Sequence, residues 1–410
     1  MKNRLAIISK SDSSGGGAGV VAEDLHHLIN TTAQYSSHLW YGFGNKPVLK
    51  DAYQLYGNKS GRLVYKSFRY LSRKLGIPDF IPTEFAFHLL KMPGEYDLYH
   101  FHSISSAISP ITLRWLSRRY PTVWTFHDCS PFTGGCIYPT ISDCAAFTSR
   151  CGNCPQLNVW PMLSQLDLTG PIQDYKRKTI KDNLISVVVP SKWMANEALK
   201  SGFFSKEPIV IPNCVDMTIF KSRNKKDARQ KLNLPEDGLI VLMGAASLDD
   251  KRKGIEYAIK ALKKLSMKPC VIAIGNEASS LEHQNIISRY TGFINDKSDL
   301  ALYYSAADIF LFPTLADNFP LTVIESMACG TPVIGFAVGG LPEIVDHDCN
   351  GWLVPLMDIE GLVVGLTFAN NDVDRLRHWS INGLLKVSEL YQPSKFLDRH
   401  LSLYDSLLNK

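Results

Sequence analysis

The chain has 410 residues, 45% of them hydrophobic and 20% charged, with a formal net charge of +5. That length exceeds what one core usually serves and predicts two domains of about 200 residues each, while the ordinary composition excludes a disordered or low-complexity chain. No window approaches the roughly 18 apolar residues of a spanning helix and the opening MKNRLAIISKSDSS has too short an apolar run for a signal peptide, so a cytoplasmic protein with no nucleic-acid partner is expected.

LAIISKSDSSGGGAGVVAEDLHHLI reads as a strand, a Gly-rich loop and a helix, and Gly17, Gly19 and Ala22 satisfy G-x-G-x-x-A. This motif raises one candidate activity, an NAD-dependent oxidoreductase. Such a site needs an acid about 20 residues on, at the end of the second strand, and HLWYGFGNKPVLK offers none before Asp51. Further along, Lys59, Arg62, Lys66, Arg69 and Arg73, with Lys74 beside them, alternate spacings of three and four with no acid between Asp51 and Asp79. On a helix they form one positive stripe. It suits either an anionic lipid surface or a solvated face over packed apolar residues.

LYHFH carries His100 and His102, and TVWTFHD puts His127 and Asp128 at the carboxyl end of a strand. Five of the nine cysteines then crowd into residues 129–154. Cys136, Cys144, Cys151 and Cys154 follow C-x7-C-x6-C-x2-C. The last pair is a zinc-knuckle half-site, whereas the first pair is wider than zinc fingers prefer. The two readings are a structural zinc that pins the loop after His127, and plain reduced or disulfide cysteines.

ISVVV closes a first series of strands, and IVIPN, LIVLMGA, CVIAIG, DIFLF, PVIGF and GWLVP make a second. Strands alternating with helical patterns predict an α/β protein of two doubly wound, parallel-sheet domains. The expected bounds are 1–190, containing the Cys-rich insertion 129–154, and 191–385, with a closing amphipathic helix at 386–410. Ligands of such sheets sit beyond the carboxyl ends of the strands. In PTLADNFPLTVIESMACGTP a strand gives way to a helix expected from Pro320 to Cys329, so Asp317 lies in the loop and Glu325 in the helix, with seven residues between them. The free N–H groups at the helix start favour an anion. LMGAASLDDKRKGIEYAIKAL sets Lys251, Arg252 and Lys253 at a second strand-to-helix junction.

DNFPLTVIESMACGTPVIGFAVGGLPEIVDHDCNGWLVP resembles the signature region of retaining GT-B glycosyltransferases of family 4 (group 1), whose hallmark is two acids separated by seven residues. The family's usual first acid is Glu, and Asp317 stands there. The resemblance implies two Rossmann-like domains facing a cleft, an N-terminal one for the acceptor and a C-terminal one for the nucleotide sugar. It implies that Glu325 bonds the ribose hydroxyls of a UDP- or GDP-sugar and that Asp317 holds a hydroxyl of the donor sugar. The Phe319 and Leu321 amides would orient sugar and phosphate. Lys253-Gly254 match the pair that grips the phosphates, and Arg252 substitutes for an Arg expected at Leu248 or Ser247. Gly16 and Gly17 suit the first GT-B loop near the donor phosphates, and His127 would contact the donor sugar. His100 and His102 would border the acceptor site. No catalytic cofactor is implied, and same-face attack retains configuration. The acceptor implied is a growing glycan, taken as lipid-linked, in surface-polysaccharide synthesis on the inner face of a membrane. The rival classes are the oxidoreductase and a noncatalytic glycan-binding scaffold.

Overall fold

The structure is a computed structural model that describes residues 2–44, 49–56, 59–77, 80, 82, 96–105, 107–181, 184–204, 206–276 and 286–409. It divides into two compact units, Met1–Pro212 with Phe396–Lys410, and Asn213–Lys395.

In the first unit, strands β1 (Asn3–Ser11), β2 (Tyr35–Phe43), β3 (Ala52–Gln54), β4 (Leu98–Phe101), β5 (Thr122–Thr125), β6 (Ile185–Val189) and β7 (Ile209–Val210) form one sheet in the order β3-β2-β1-β4-β5-β6-β7. Every pairing is parallel. The buried run Leu5–Ile8 and the fully buried β4 are what a sheet covered on both faces requires. The order reverses between β1 and β4, so their carboxyl ends flank the crevice where such sheets bind ligands.

The second unit repeats the plan with β8 (Ile240–Ser247), β9 (Cys270–Asn276), β10 (Arg289–Tyr290), β11 (Ile309–Phe312), β12 (Val333–Phe336) and β13 (Gly351–Val354), ordered β10-β9-β8-β11-β12-β13 and again parallel throughout. Its crevice lies between the ends of β8 and β11. Two apolar clusters sandwich the sheet, one around Phe310, Val323 and Met327 and the other around Val241, Leu262 and Trp379.

Three sequence expectations shift. The boundary lies at Asn213 instead of 191, because IVIPN contributes β7, which pairs with β6 of the first sheet. The closing helix begins at Pro393, and its stretch from Phe396 belongs to the first unit. Helix Leu321–Ala328 starts one residue later than expected, with Pro320 as its cap at φ −69° and ψ 119°. It also ends one residue earlier than expected, at Ala328, with Cys329 as its cap and Gly330 at φ +83° just past it.

Candidate functional site

The second unit's crevice is built by three loops. After β8, residues Lys251–Lys253 form a short 3-10 turn capped by Asp250, whose side chain accepts from the Arg252 N–H. After β11, the chain runs from Pro313 to Pro320 before entering its helix. After β12 comes the Gly339-Gly340 turn. These loops are laced together: the Leu315 N–H donates to Arg252 O at 2.8 Å, and the Gly340 N–H to Asp317 O at 3.2 Å. Two glycines permit the close fit. Gly254 (φ +65°) and Gly339 (φ +58°) are left-handed, and a Cβ on either would overlap a carbonyl oxygen, Pro313 O or Asp317 O respectively. Gly254→Ala is therefore expected to destabilise the second unit by about 2–4 kcal/mol, from left-handed strain and overpacking together. Urea melts would measure it, and an unchanged midpoint would contradict this account of the loop.

Within this knot Lys253 and Asp317 form an ion pair, Nζ to Oδ2 at 2.8 Å, with both side chains mostly buried. The Arg252 guanidinium lies 3.5 Å from the same oxygen, donates to Ala316 O at 3.1 Å and pairs with Asp250 at 3.0 Å. Burial works against the charge on Asp317. Lys253 and Arg252 outweigh it and, with the Asn318 N–H, hold the carboxyl below the usual carboxylate range. Asp317 is thus an ionised, weakly basic group. Leu248, where an Arg was looked for, is buried in the core, so Arg252 is the second cation of this crevice.

Glu325 sits one turn into the helix. The hydroxyl of Tyr304 donates to its Oε2 at 3.5 Å. Burial and the neighbouring Glu325 both push that phenol well above its ordinary value. Tyr304 went unnoticed in the sequence because a Tyr on a packed helix carries no motif. Phe319 is buried edge-on against Tyr391, at 5.3 Å between ring centres, and its carbonyl accepts from the Asn213 side chain at 3.3 Å. Its contribution to a ligand is therefore its backbone, and Leu321 offers an N–H in the first helical turn, where the helix itself supplies no acceptor.

In the first unit, Gly16 (φ +114°) caps helix Gly17–Asn30 with open space where a Cβ would stand. Gly19 instead packs against the Asp12 carbonyl, so the motif's second glycine serves helix-to-strand packing. β2 ends at Phe43 with Gly44 following and no acid at its carboxyl end, which removes the residue a dinucleotide ribose needs. His127 lies just past β5, half-buried, with burial lowering its pKa to about 4. His100 and His102 are fully buried and do not border an open site. They continue a column of rings: His102 stacks on His127 at 5.2 Å, His100 lies 4.5 Å from His102, and His400 of the closing helix lies 5.6 Å from His100. No spacing rule joins residues 100, 127 and 400, so only the fold reveals the column.

The zinc expectation for Cys136, Cys144, Cys151 and Cys154 finds no ligand set. Among the described residues, no three His, Cys, Asp or Glu are grouped so as to hold a metal ion. All four are free thiols. Burial pushes Cys136 up to about 12 and Cys151 to about 11, and the Cys151 sulfur accepts the Gly134 N–H at 3.3 Å. The four cysteines share the loop that follows His127, near enough that Cys144, Cys151 and Cys154 each add to the rise at Cys136.

Comparison with known proteins bears on this arrangement. The family described as "Glycosyltransferase Family 4" matches residues 15–218, and "Glycosyl transferases group 1" matches 224–385. D-inositol 3-phosphate glycosyltransferase of Mycobacterium marinum is 30% identical over 285 residues, 65% of this chain and 54% of that protein, so the chain spans about half the length of this curated relative. Sucrose-phosphate synthase from Thermosynechococcus elongatus superposes with a TM-score of 0.73 at 20% identity, covering 100% of each chain. HepE of Anabaena in complex with UDP-glucose gives 0.70 at 17%, covering 98% of this chain and 100% of its own. Two parallel sheets, a cation-and-carboxylate knot at the switch point of the second, and family matches along both units converge: the chain belongs to the family 4, group 1 glycosyltransferases of GT-B fold.

Proposed function

We propose that the protein moves a sugar from a UDP- or GDP-sugar to a growing glycan with retention of configuration and without a catalytic metal. The observation that carries this reading is the Lys253–Asp317 pair, with Arg252, at the point where the second sheet reverses its strand order. A departing nucleoside diphosphate develops negative charge that fixed cations must meet, and two cations and a helix N-terminus stand there. Asp317, held ionised by those cations, is a poor base and is better used to accept a hydrogen bond from a donor-sugar hydroxyl. The acceptor's proton then goes to the leaving phosphate. Glu325, a turn deeper in the same helix, takes the ribose. The UDP-glucose bound by HepE favours a UDP-sugar among the donors.

Thermal-shift and hydrolysis screening against UDP-glucose, UDP-galactose, UDP-N-acetylglucosamine and GDP-mannose tests the donor, in buffer containing EDTA. Glu325→Gln should weaken nucleotide binding about tenfold, the loss of roughly one charge-assisted hydrogen bond, and Asp317→Asn should mainly reduce turnover. Unchanged kinetics in both variants would remove the assignment.

A lipid-linked acceptor at the cytoplasmic face of a membrane is the second part of the proposal, and helix Lys59–Lys74 supports it. Tyr65 anchors that helix against Phe43 and Tyr56, each 4.6 Å away. Its apolar side is not packed away: Leu63 is 67% and Phe68 40% exposed, with Leu71 and Leu75 also open. Cations and exposed apolar side chains on one helix suit the boundary of an anionic bilayer. Among the described residues no helix is long and apolar enough to cross a membrane. Flotation with phosphatidylglycerol vesicles should recover the protein, and replacing Arg62, Lys66 and Arg69 by Glu should abolish recovery, each basic residue being worth about 1 kcal/mol at such a surface. Recovery that ignores both lipid charge and these substitutions would end this part of the proposal.

A further inference from the structure

Two neighbouring histidines are joined by a hydrogen bond, and one of them has a buried nitrogen with no partner among the described residues. His102 Nδ1 lies 3.0 Å from His127 Nε2, with the rings stacked at an interplanar angle of 22°. His102 is 0% exposed, and its Nε2 is buried without a partner among the described residues. Both rings are neutral near pH 7, because burial lowers both pKa values, that of His127 to about 4. A neutral imidazole carries one N–H and one bare nitrogen. A bond between His102 Nδ1 and His127 Nε2 needs one proton between them, and each ring's remaining nitrogen is then determined. If His127 Nε2 holds the bridging proton, His102 must carry its own on Nε2, which strands a buried N–H. If His102 Nδ1 holds it, His102 Nε2 is a bare lone pair and the His127 proton sits on Nδ1. An orphaned buried N–H is the rarer and costlier defect.

We propose that His102 is a positioning residue that locks His127 in its Nδ1–H tautomer, making His127 a hydrogen-bond donor and not a base at the carboxyl ends of β4 and β5. Its bearing on turnover rests on the reading of His127 as a residue of the transferase site. The lock is built from the fold: His102 follows β4, His127 follows β5, and the two strands are adjacent in parallel register. The Trp124 indole N–H donates to the His102 carbonyl at 3.2 Å and steadies its backbone. A ring so held cannot turn over to offer its other edge without breaking the bond to His102.

Two-bond proton–nitrogen correlation spectra of the full chain labelled with ¹⁵N-histidine test the lock directly, with His127 assigned by the signal lost in His127→Gln. The expected spectrum shows His127 protonated at Nδ1 at pH 7, and His102→Leu returns it to a mixture of tautomers. His102→Asn, whose amide nitrogen lies near the place of Nδ1, keeps a donor and restores the Nδ1–H form. In kinetics with the hydrolysed UDP-sugar, His102→Leu should lower kcat about 10–100-fold, as outer-shell substitutions typically do, with little change in donor KM, and His102→Asn should stay within a few-fold of the parent. An Nε2–H signal for His127, or an unchanged spectrum in His102→Leu, overturns the proposal. If His127→Gln leaves turnover intact while the Nδ1–H signal is present, the reading of His127 fails and the tautomer lock stands.

Discussion

Replacing Lys253 by alanine is expected to lower sugar-transfer turnover by about 10²–10³-fold, the usual effect of removing one fixed group that meets transition-state charge. Lys253 reaches the crevice because Gly254 lets its loop close on Pro313, and its ammonium rests 2.8 Å from Asp317. The same substitution leaves Asp317, 14% exposed, with Arg252 at 3.5 Å. Losing a partner from a buried pair costs about 3–5 kcal/mol. Partial exposure and the retained Arg252 reduce this to about 1–2 kcal/mol. The two effects separate in a double-mutant cycle. Lys253→Ala with Asp317→Asn should recover most of the lost stability, since no unpaired charge is left, and should recover no turnover. Full turnover in Lys253→Ala with a normal melting temperature would show that the diphosphate is met elsewhere.

Acid should unfold the first unit well before the carboxylates are protonated. His100, His102, His127 and His400 are packed as neutral rings, and burial lowers the pKa of each, that of His127 and of His400 to about 4. The groups facing them are Thr125 and Tyr404 on His100, and the Phe396 carbonyl on His400. None of these three groups, which are among the described residues, is a carboxylate that could stabilise an imidazolium. In the unfolded chain these residues take up protons at the ordinary imidazole value of 6.5. Between pH 6.5 and 4 the unfolded state therefore binds more protons than the folded one, so stability falls as pH falls. A fully buried ring such as His400 contributes about 3 kcal/mol to this loss over that window. Asp317 acts in the same sense but at lower pH, because its lowered pKa yields stability that is present above about 4 and lost only below it. Urea denaturation at pH 7, 6 and 5 should show the midpoint falling steadily, and His400→Gln should flatten that slope. An equal midpoint at pH 7 and 5 would mean that the column is solvated.

Much of the fold is legible in the residues. The strands found by β-branched and apolar runs are recovered, and the two-sheet plan follows from their alternation with helices. The short edge strands Ala52–Gln54 and Arg289–Tyr290 were missed, since two or three residues carry no period. The shift of the domain boundary has a similar cause: Ile209–Val210 reads equally well as the end of one series or the start of the next, and only its pairing with Val188 and Val189 assigns it.

For the candidate site, local order was enough to place Asp317 in a loop, Glu325 on a helix and Lys253 at a strand-to-helix turn, because Pro320 fixes its own φ while Gly254 and Gly330 permit the left-handed turns at element ends. What those side chains touch was decided by tertiary contact. Lys253 and Asp317 are 64 positions apart, and nothing in either segment records that the strands before them are neighbours in a parallel sheet. The cysteine spacing suggests a metal knuckle, but spacing alone does not set how near the sulfurs come, which the folding of the loop decides. The histidines at 100, 102, 127 and 400 are ordinary in sequence and become one column only when β4, β5 and the closing helix pack together. Sequence periodicity and turn chemistry act over a few residues and so determine elements and their ends. Partners, charge states and tautomers depend on groups brought close from distant parts of the chain, and for those the packed structure was required.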